Sequence, residues 1–363
     1  MFKFNELNSV HLEITTRCQA SCPMCPRNYH GGQENTNLKI ADWSYYDFVK
    51  VFDAETLAQL SNIYFCGNFG DPIINDNLID MCQHIKDCAP HIDLKIHTNG
   101  AARGTKWWQS LCRALPEKHC VLFGIDGLED THHLYRVGTS YENVIRNAKE
   151  FISNGGHAEW VFIKFKHNEH QVEEAEKRSK ELGFEQFTVK NTIRFIGEPK
   201  FDVLDKIGNV KYRLEPPTAN EVVLIDAFQI EKFKKIYDRS IIDCHALAEK
   251  KIYIDAHMNV FPCCFLASTP YKDNRIHPIL SEVNEKTINQ YKELIESLGG
   301  IKQIDAKTRS VKDIIDSTLW QNVWEEYWTT KKLVTCFKIC GNTDMAKPKD
   351  QVVKQVKILK EGM

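Results

Sequence analysis

Between residues 8 and 190, short runs rich in β-branched, leucine and aromatic residues alternate with stretches of helical apolar spacing, and this alternation restricts the fold more than any other feature. The expected strands are Ser9–Ile14, Asn62–Cys66, Asp93–His97, Val121–Asp126, Glu159–Phe165 and Gln186–Lys190. The expected helices are Tyr45–Leu60, Leu78–Cys88, Lys106–Ala114, Tyr141–Asn154 and Gln171–Leu182, with Gly155-Gly156 and Gly183 as stops. Strands that recur with helices between them pair in parallel through right-handed crossovers. A closed eight-fold barrel takes ~250 residues, so six such units predict an α/β fold built as a partial (β/α)6 TIM-like barrel or an open doubly wound sheet. Either architecture carries its active site at the carboxyl ends of the strands.

The alternation defines a first domain over 1–194. It lapses over 195–240, where Gly197-Glu198-Pro199 and Leu214-Glu215-Pro216-Pro217 suggest a linker or irregular wrap. A second, small α+β unit is expected over 241–345, with a hairpin from Lys251–Asp255 and Asn259–Phe261, and a helix over Val311–Thr329. Trp320, Trp324 and Trp328 recur on that helix at spacing four, the pattern of a packing face. The Lys-rich tail, 346–363, is expected to be solvated.

Formal net charge is −2, from 47 Lys and Arg against 49 Asp and Glu, so no global basic field favours nucleic acid or an anionic membrane. No signal peptide and no run of ~20 apolar residues is visible, which predicts a cytoplasmic protein without membrane association. Thirteen cysteines in such a chain point to metal or iron–sulfur ligation by the clustered ones, because cytosolic thiols stay reduced. Cys66, Cys82, Cys88, Cys112 and Cys120 lie scattered in apolar or helical stretches and are read as small buried hydrophobes.

Cys18, Cys22 and Cys25 follow the first strand on one short loop, so three thiolates can converge on one inorganic core. A [4Fe–4S] cluster normally takes four cysteines, and three leave one iron open to an outside ligand. A zinc ion completed by a distant residue such as His30, or plain reduced thiols, are the alternatives; structural zinc usually comes with two spaced pairs. Cys244, Cys263, Cys336 and Cys340 make a second set, spaced Cys-x18-Cys and Cys-x3-Cys. Four cysteines saturate either a [4Fe–4S] cluster or a zinc ion, and spacing does not choose between them.

Cys-x3-Cys-x2-Cys after the first strand of a β/α series resembles the radical S-adenosylmethionine (SAM) superfamily. In that family the three cysteines bind the cluster and the open iron takes the amino and carboxyl groups of SAM. The resemblance implies a backbone contact to adenine at Met24, where relatives often carry an aromatic residue. It also extends to Cys66-Gly67-Asn68-Phe69-Gly70-Asp71-Pro72, similar to a Gly-Gly-Glu-Pro segment: Gly67 and Gly70 would allow close backbone approach, and Asp71 would face the SAM ammonium. Ile96-His97-Thr98-Asn99-Gly100 is similar to the family's Thr-Asn-Gly, giving Thr98 and Asn99 as SAM contacts. Gly124-Ile125-Asp126 stands where many relatives have Ser-Ile-Asp, and Gly124 offers no side chain to the ribose. Tyr135-Arg136 and His167-Asn168 follow strands four and five, where relatives often carry polar active-site residues.

The C-terminal cysteines, with Val260-Phe261-Pro262-Cys263, resemble the twitch module, a shortened SPASM domain with one auxiliary [4Fe–4S] cluster; Cys264 is the alternative ligand to Cys263. The implied chemistry is reductive cleavage of SAM to a 5′-deoxyadenosyl radical that abstracts a substrate hydrogen atom. The auxiliary cluster would then accept an electron, giving a net oxidation such as dehydrogenation or bond formation. Implied partners are SAM, a small-molecule or peptide substrate, and a flavodoxin- or ferredoxin-type electron donor. Many peptide maturases carry a winged-helix-like N-terminal extension, and the cluster strand here starts at residue 9, which tilts the expectation toward small molecules. Alternatives are a maturase of ribosomal peptides, an RNA-modifying radical enzyme and, from another class, a non-catalytic zinc-binding interaction protein.

Overall fold

The computed structural model describes residues 1–192, 194–195, 199–218, 237, 239–272, 281–341 and 352–358. Gly197-Glu198 and the whole segment 219–236 lie outside them. Strand β1 (Ser9–Leu12) leads into the cysteine loop, which carries its own two-residue strands β2 (Asn28–Tyr29) and β3 (Gln33–Glu34). Then come β4 (Asn62–Phe65), β5 (Asp93–Thr98), β6 (His119–Gly124), β7 (Ala158–Lys164) and β8 (Gln186–Asn191). With β1 they form six adjacent parallel strands in chain order, as the alternation predicts.

The pleat explains why one face of this sheet is hydrocarbon and the other polar. Val10, Leu12, Phe65, Ile96, Phe123 and Phe187 alternate onto the face covered by the crossover helices and are fully buried. The opposite face presents His11, Glu13, Tyr64, Cys66 and His97. Burial holds both histidines neutral, pushing His11 down to about 4 and His97 down to about 3.

The helix expected over Tyr45–Leu60 is two helices, Tyr45–Val51 and Ala54–Gln59, because the Asp53 carboxylate accepts from Thr56 N at 2.8 Å and starts a new one. The expected Val311–Thr329 helix is broken in the same way: Ser317 Oγ accepts from Trp320 N at 3.2 Å, separating Val311–Ile315 from Thr318–Thr329. Trp320 and Trp324 are buried in the core as expected.

In the segment 195–240, β9 (Phe201–Leu204) and β10 (Val210–Leu214) form an antiparallel hairpin rather than an irregular wrap. The C-terminal hairpin forms as expected from β11 (Lys251–Ile254) and β12 (Val260–Phe261), and it extends the main sheet: β11 pairs in parallel with β1. The described part of the tail is exposed, as a solvated segment should be, and it also forms a strand. Strand β13 (Val352–Lys357) pairs antiparallel with β8, and Lys354 ion-pairs with Glu176. Val352, Val353 and Val356 supply the β-propensity that a lysine count hides. Among the described residues the nine-stranded order β12-β11-β1-β4-β5-β6-β7-β8-β13 ends at β12 and β13, which do not pair with each other. No described helix is long and apolar enough to cross a membrane.

The scattered cysteines divide three ways. Cys82 and Cys112 are buried as expected, Cys88 is exposed on its helix, and Cys66 and Cys120 lie half-buried on the polar face of the sheet. Phe123 is the centre of the helix-side packing, touching Trp108, Phe151 and Phe184. Phe123→Ala therefore costs about 3–5 kcal/mol, seen as a lower urea midpoint; a loss below about 1 kcal/mol would mean the site collapses without a cavity.

Candidate active site

The cysteine loop leaves the carboxyl end of β1 and is pinned from three sides. Ser21 N donates to Val137 O at 2.8 Å, Leu204 N on β9 donates to His30 O at 2.9 Å, and Asp71 N donates to Arg17 O at 2.9 Å. Underneath, Ala20, Cys22 and Met24 pack with Tyr135, Phe165, Phe201, Val203 and Leu214 in a separate apolar cluster. The β9–β10 hairpin thus covers the loop. Its alternating Phe201 and Val203 turn inward, a period-2 signal that the proline-rich surroundings obscured in the sequence.

Cys22 is buried and Cys18 and Cys25 half-buried, all three as free thiols. Burial pushes the Cys18 thiol far up, with the charges of Asp71 and Cys22 acting in the same direction. Burial pushes Cys22 up to about 11, against the pull of the Arg136 guanidinium. Asn99 Nδ2 approaches Cys18 Sγ at 3.7 Å, and Arg136 Nη1 approaches Cys22 Sγ at 4.0 Å. Met24 is buried, and its carbonyl accepts from Arg194 Nη1 at 2.7 Å.

The two glycines after β4 serve a crossing of the chain over itself. A Cβ on Gly70 would lie 1.8 Å from Thr15 O, and one on Gly67 would lie 2.4 Å from Gly70 O and 2.7 Å from Glu13 Oε1. Glu13 is the residue that sequence reasoning passed over. It is buried, and Oε1 accepts from Phe69 N at 2.8 Å and Gly70 N at 3.1 Å. Its Oε2 accepts from Tyr253 OH on β11 at 2.5 Å. A single acid at the end of a β-run carries no pattern that would have found it.

Asp71 is buried with its oxygens engaged: Oδ2 accepts from Asn99 N at 2.8 Å and Asn99 Nδ2 at 2.5 Å, while Oδ1 accepts from Ile73 N at 3.2 Å. Asn99 Oδ1 in turn accepts from Gln19 Nε2 at 2.6 Å, and Thr98 Oγ1 accepts from Gly100 N at 2.9 Å. The structure therefore brings Cys18, Asp71 and Asn99 into one hydrogen-bonded group, which the Thr98 side chain joins at Asp71. Of the polar pairs after the next strands, Arg136 joins the site through Asp126 and Cys22. Asn168 is buried and bonds Phe165 N, Ile163 O and Asp126 O, a structural role.

The second cysteine set lines a largely apolar cavity of about 180 Å³ whose wall includes Cys244, Cys263, Cys264, Cys336 and Cys340. Ile252, Leu266 and Trp328 complete it, so Trp328 serves this cavity as well as the packing stripe. The charges that bear on Cys263 include Cys340, whereas those on Cys264 include Cys66 on the polar face of the sheet. Trp328 Nε1 is buried beside the Cys336 thiol. Asn68 ties this unit to the glycine turn, its Nδ2 lying 2.9 Å from Cys264 O and 3.2 Å from Tyr253 OH. Among the described residues, no group of three or more His, Cys, Asp or Glu is placed to hold a metal ion.

No family model matches the chain. In sequence it is 26% identical over 204 residues to the tungsten-containing aldehyde ferredoxin oxidoreductase cofactor-modifying protein of Pyrococcus furiosus, covering 54% of each. The chain thus spans about half the length of that relative. Among solved structures it resembles SuiB of Streptococcus suis bound to precursor peptide SuiA, with a TM-score of 0.52 at 14% identity, covering 88% of this chain and 67% of that one. It also resembles native anSMEcpe with bound AdoMet (SAM), with a TM-score of 0.50 at 14% identity, covering 95% and 92%. At these identities the likeness is one of fold.

Burial is the main force on the Glu13 carboxyl, pushing it up to about 7 against the opposing pull of Tyr253 and the two backbone donors. A folded-state value above the unfolded one stabilises the protein at low pH, and that stability is lost as pH rises through about 7. Glu13→Gln, which copies the protonated shape, should remove this contribution. Urea midpoints at about pH 5 and about pH 8 then show wild type losing on the order of 3 kcal/mol more than the variant. Equal losses in the two proteins would refute the assignment.

Proposed function

We propose that this chain is a cytoplasmic radical SAM enzyme whose Cys18, Cys22 and Cys25 hold a [4Fe–4S] cluster open at one iron. The observation that carries the reading is three free thiols on one covered loop, hydrogen-bonded through Asn99 to the Asp71 turn at the carboxyl end of a parallel sheet. When bound, such a cluster supplies the electron that splits SAM and yields a radical able to take hydrogen from an unreactive C–H bond. The residues of the chain do the rest. Glu13 fixes the Gly67–Gly70 turn, and Asp71, already oriented by three donors, adds a carboxylate for the SAM ammonium. Met24 offers its backbone beside Arg194, and Thr98 shapes the turn that holds Asn99. The β9–β10 hairpin packs on the buried side of the loop, against Ala20, Cys22 and Met24.

The cavity formed with Cys244, Cys263, Cys336 and Cys340 has the soft donors and apolar wall that suit a closed second [4Fe–4S] cluster. We assign it as a twitch-type auxiliary site, with Cys264, which lines the same cavity, as the alternative ligand to Cys263. Four protein ligands leave no room for substrate on that cluster, so its role is to take an electron and make the net reaction an oxidation. The substrate is a small molecule or a peptide side chain, and the reductant a flavodoxin- or ferredoxin-type protein. The similarity to a cofactor-modifying protein favours a small molecule, and the fold shared with SuiB keeps a peptide as the second reading.

Anaerobic reconstitution should give roughly eight irons per chain, and SAM with a low-potential reductant should yield 5′-deoxyadenosine. Replacing Cys18, Cys22 and Cys25 together with Ala should abolish 5′-deoxyadenosine formation. Cys336→Ala with Cys340→Ala should halve the iron while sparing SAM cleavage. A colourless zinc protein, or 5′-deoxyadenosine formed without the first three cysteines, would sink the reading.

A further inference from the structure

The space over Gly124, at the carboxyl end of β6, is filled by an arginine. A Cβ at Gly124 would lie 2.2 Å from Arg136 Nη2 and 2.8 Å from its Cζ. Arg136 arrives there from the loop after the short helix His132–Tyr135, whose Tyr135 ring faces the guanidinium at 5.7 Å. Its Nε donates to Asp126 Oδ2 at 2.5 Å, and its Nη1 lies 4.0 Å from Cys22 Sγ. The pair is removed from water: the Asp126 side chain is 0% exposed and that of Arg136 is 14% exposed. The other Asp126 oxygen accepts from Ile163 N at 2.5 Å, so the carboxylate is anchored to β7 and cannot swing with the arginine.

A buried ion pair is weak evidence for a stability role, since apolar groups of like volume usually serve as well. Here one end of the pair rests against a thiol that the proposed function makes a cluster ligand. Cationic and hydrogen-bond-donating groups beside such a thiolate favour the more negative, reduced state. We propose that Arg136 is a positioning residue that partners the Cys22 thiolate and eases electron uptake at the Cys18, Cys22 and Cys25 site, and that residue 124 is glycine to make room for its guanidinium. This inference rests on the radical SAM reading. It turns the missing ribose-facing side chain at Gly124 from a loss into the condition for a different contact.

The test is the midpoint potential of the reconstituted cluster, followed by EPR during reductive titration with dithionite under anaerobic conditions. To isolate one cluster, it is done in a Cys336→Ala, Cys340→Ala background. Arg136→Gln removes the cation and should shift the potential down. Gly124→Ala keeps both charges but forces the guanidinium away, and should shift it the same way by less. Asp126→Asn leaves the cation uncompensated and should shift it up. Opposite signs for Arg136→Gln and Asp126→Asn, with Gly124→Ala siding with the former, are the expected result, and a purely structural pair would not produce them. If Arg136→Gln fails to fold, the signs of Gly124→Ala and Asp126→Asn decide. A loaded protein whose potential is indifferent to these changes overturns the proposal alone. A wild-type protein that takes up no iron and sulfide overturns the parent reading and this proposal with it.

Discussion

The carboxylate of Glu13 is where the parts of the molecule meet. It ends β1, receives two backbone N–H groups of the turn after β4, and receives the phenol of Tyr253 from β11. A buried acid costs several kcal/mol to desolvate, and these three donors are what make its burial tolerable. The arrangement is local in space and remote in sequence, with Tyr253 lying 240 residues away. Because Gly70 crosses Thr15 with no room for a Cβ, the cysteine loop and the glycine turn are set by one contact. Moving either would open the other.

The second dependence is on the hairpin over the cysteine loop. Three cysteines on a loop could sit in solvent, where thiols oxidise. The inward residues of β9 and β10 shield Cys22 by packing on it with Ala20 and Met24, while Cys18 and Cys25 stay half-buried. Tyr212 OH donates to Leu134 O at 2.8 Å, linking the hairpin to the same segment that delivers Arg136. Cover and charge therefore reach the loop from adjoining pieces of chain.

The parallel sheet was legible in the sequence because its signal is repeated six times, and each unit needs only its own periodicity. The cysteine groups stood out in the sequence because their members fall within one short loop, beside one hairpin or, for Cys336 and Cys340, at close spacing. Other features depended on a single side chain meeting a distant one, which periodicity does not record. Glu13 looked like one more residue of a β-run, and Gly124 looked like a lost contact until Arg136 was seen in its place. The helix breaks at Asp53 and Ser317 were readable in principle, since both are good N-caps inside apolar repeats, but the repeat outweighed them. The lysines of the tail announced its exposure but not its pairing with β8, although Val352, Val353 and Val356 have the β-propensity to extend an edge.

The register of β11 and β12 sets where the two cysteine groups lie. Ile254 is level with Leu12, so the carboxyl end of β11 coincides with that of β1, from which the Cys18 loop departs. Strand β12 runs back, Phe261 pairing with Tyr253, so Cys263 emerges near the level of Lys251, the same end at which Cys244 precedes β11. Three residue steps of strand separate these levels, which at 3.3 Å per residue is about 10 Å. The Cys18 loop therefore belongs to the carboxyl end of the sheet, while Cys244 and Cys263 flank the hairpin toward the amino end of β11. Between them lies the polar face, where His11 adjoins the cavity wall and Tyr64 OH bonds His97 Nδ1 at 3.0 Å. On the proposed reading, a substrate that gives hydrogen to one end and an electron to the other has this face as its shortest bridge. The neutral histidines there can meet such a radical without adding charge to it.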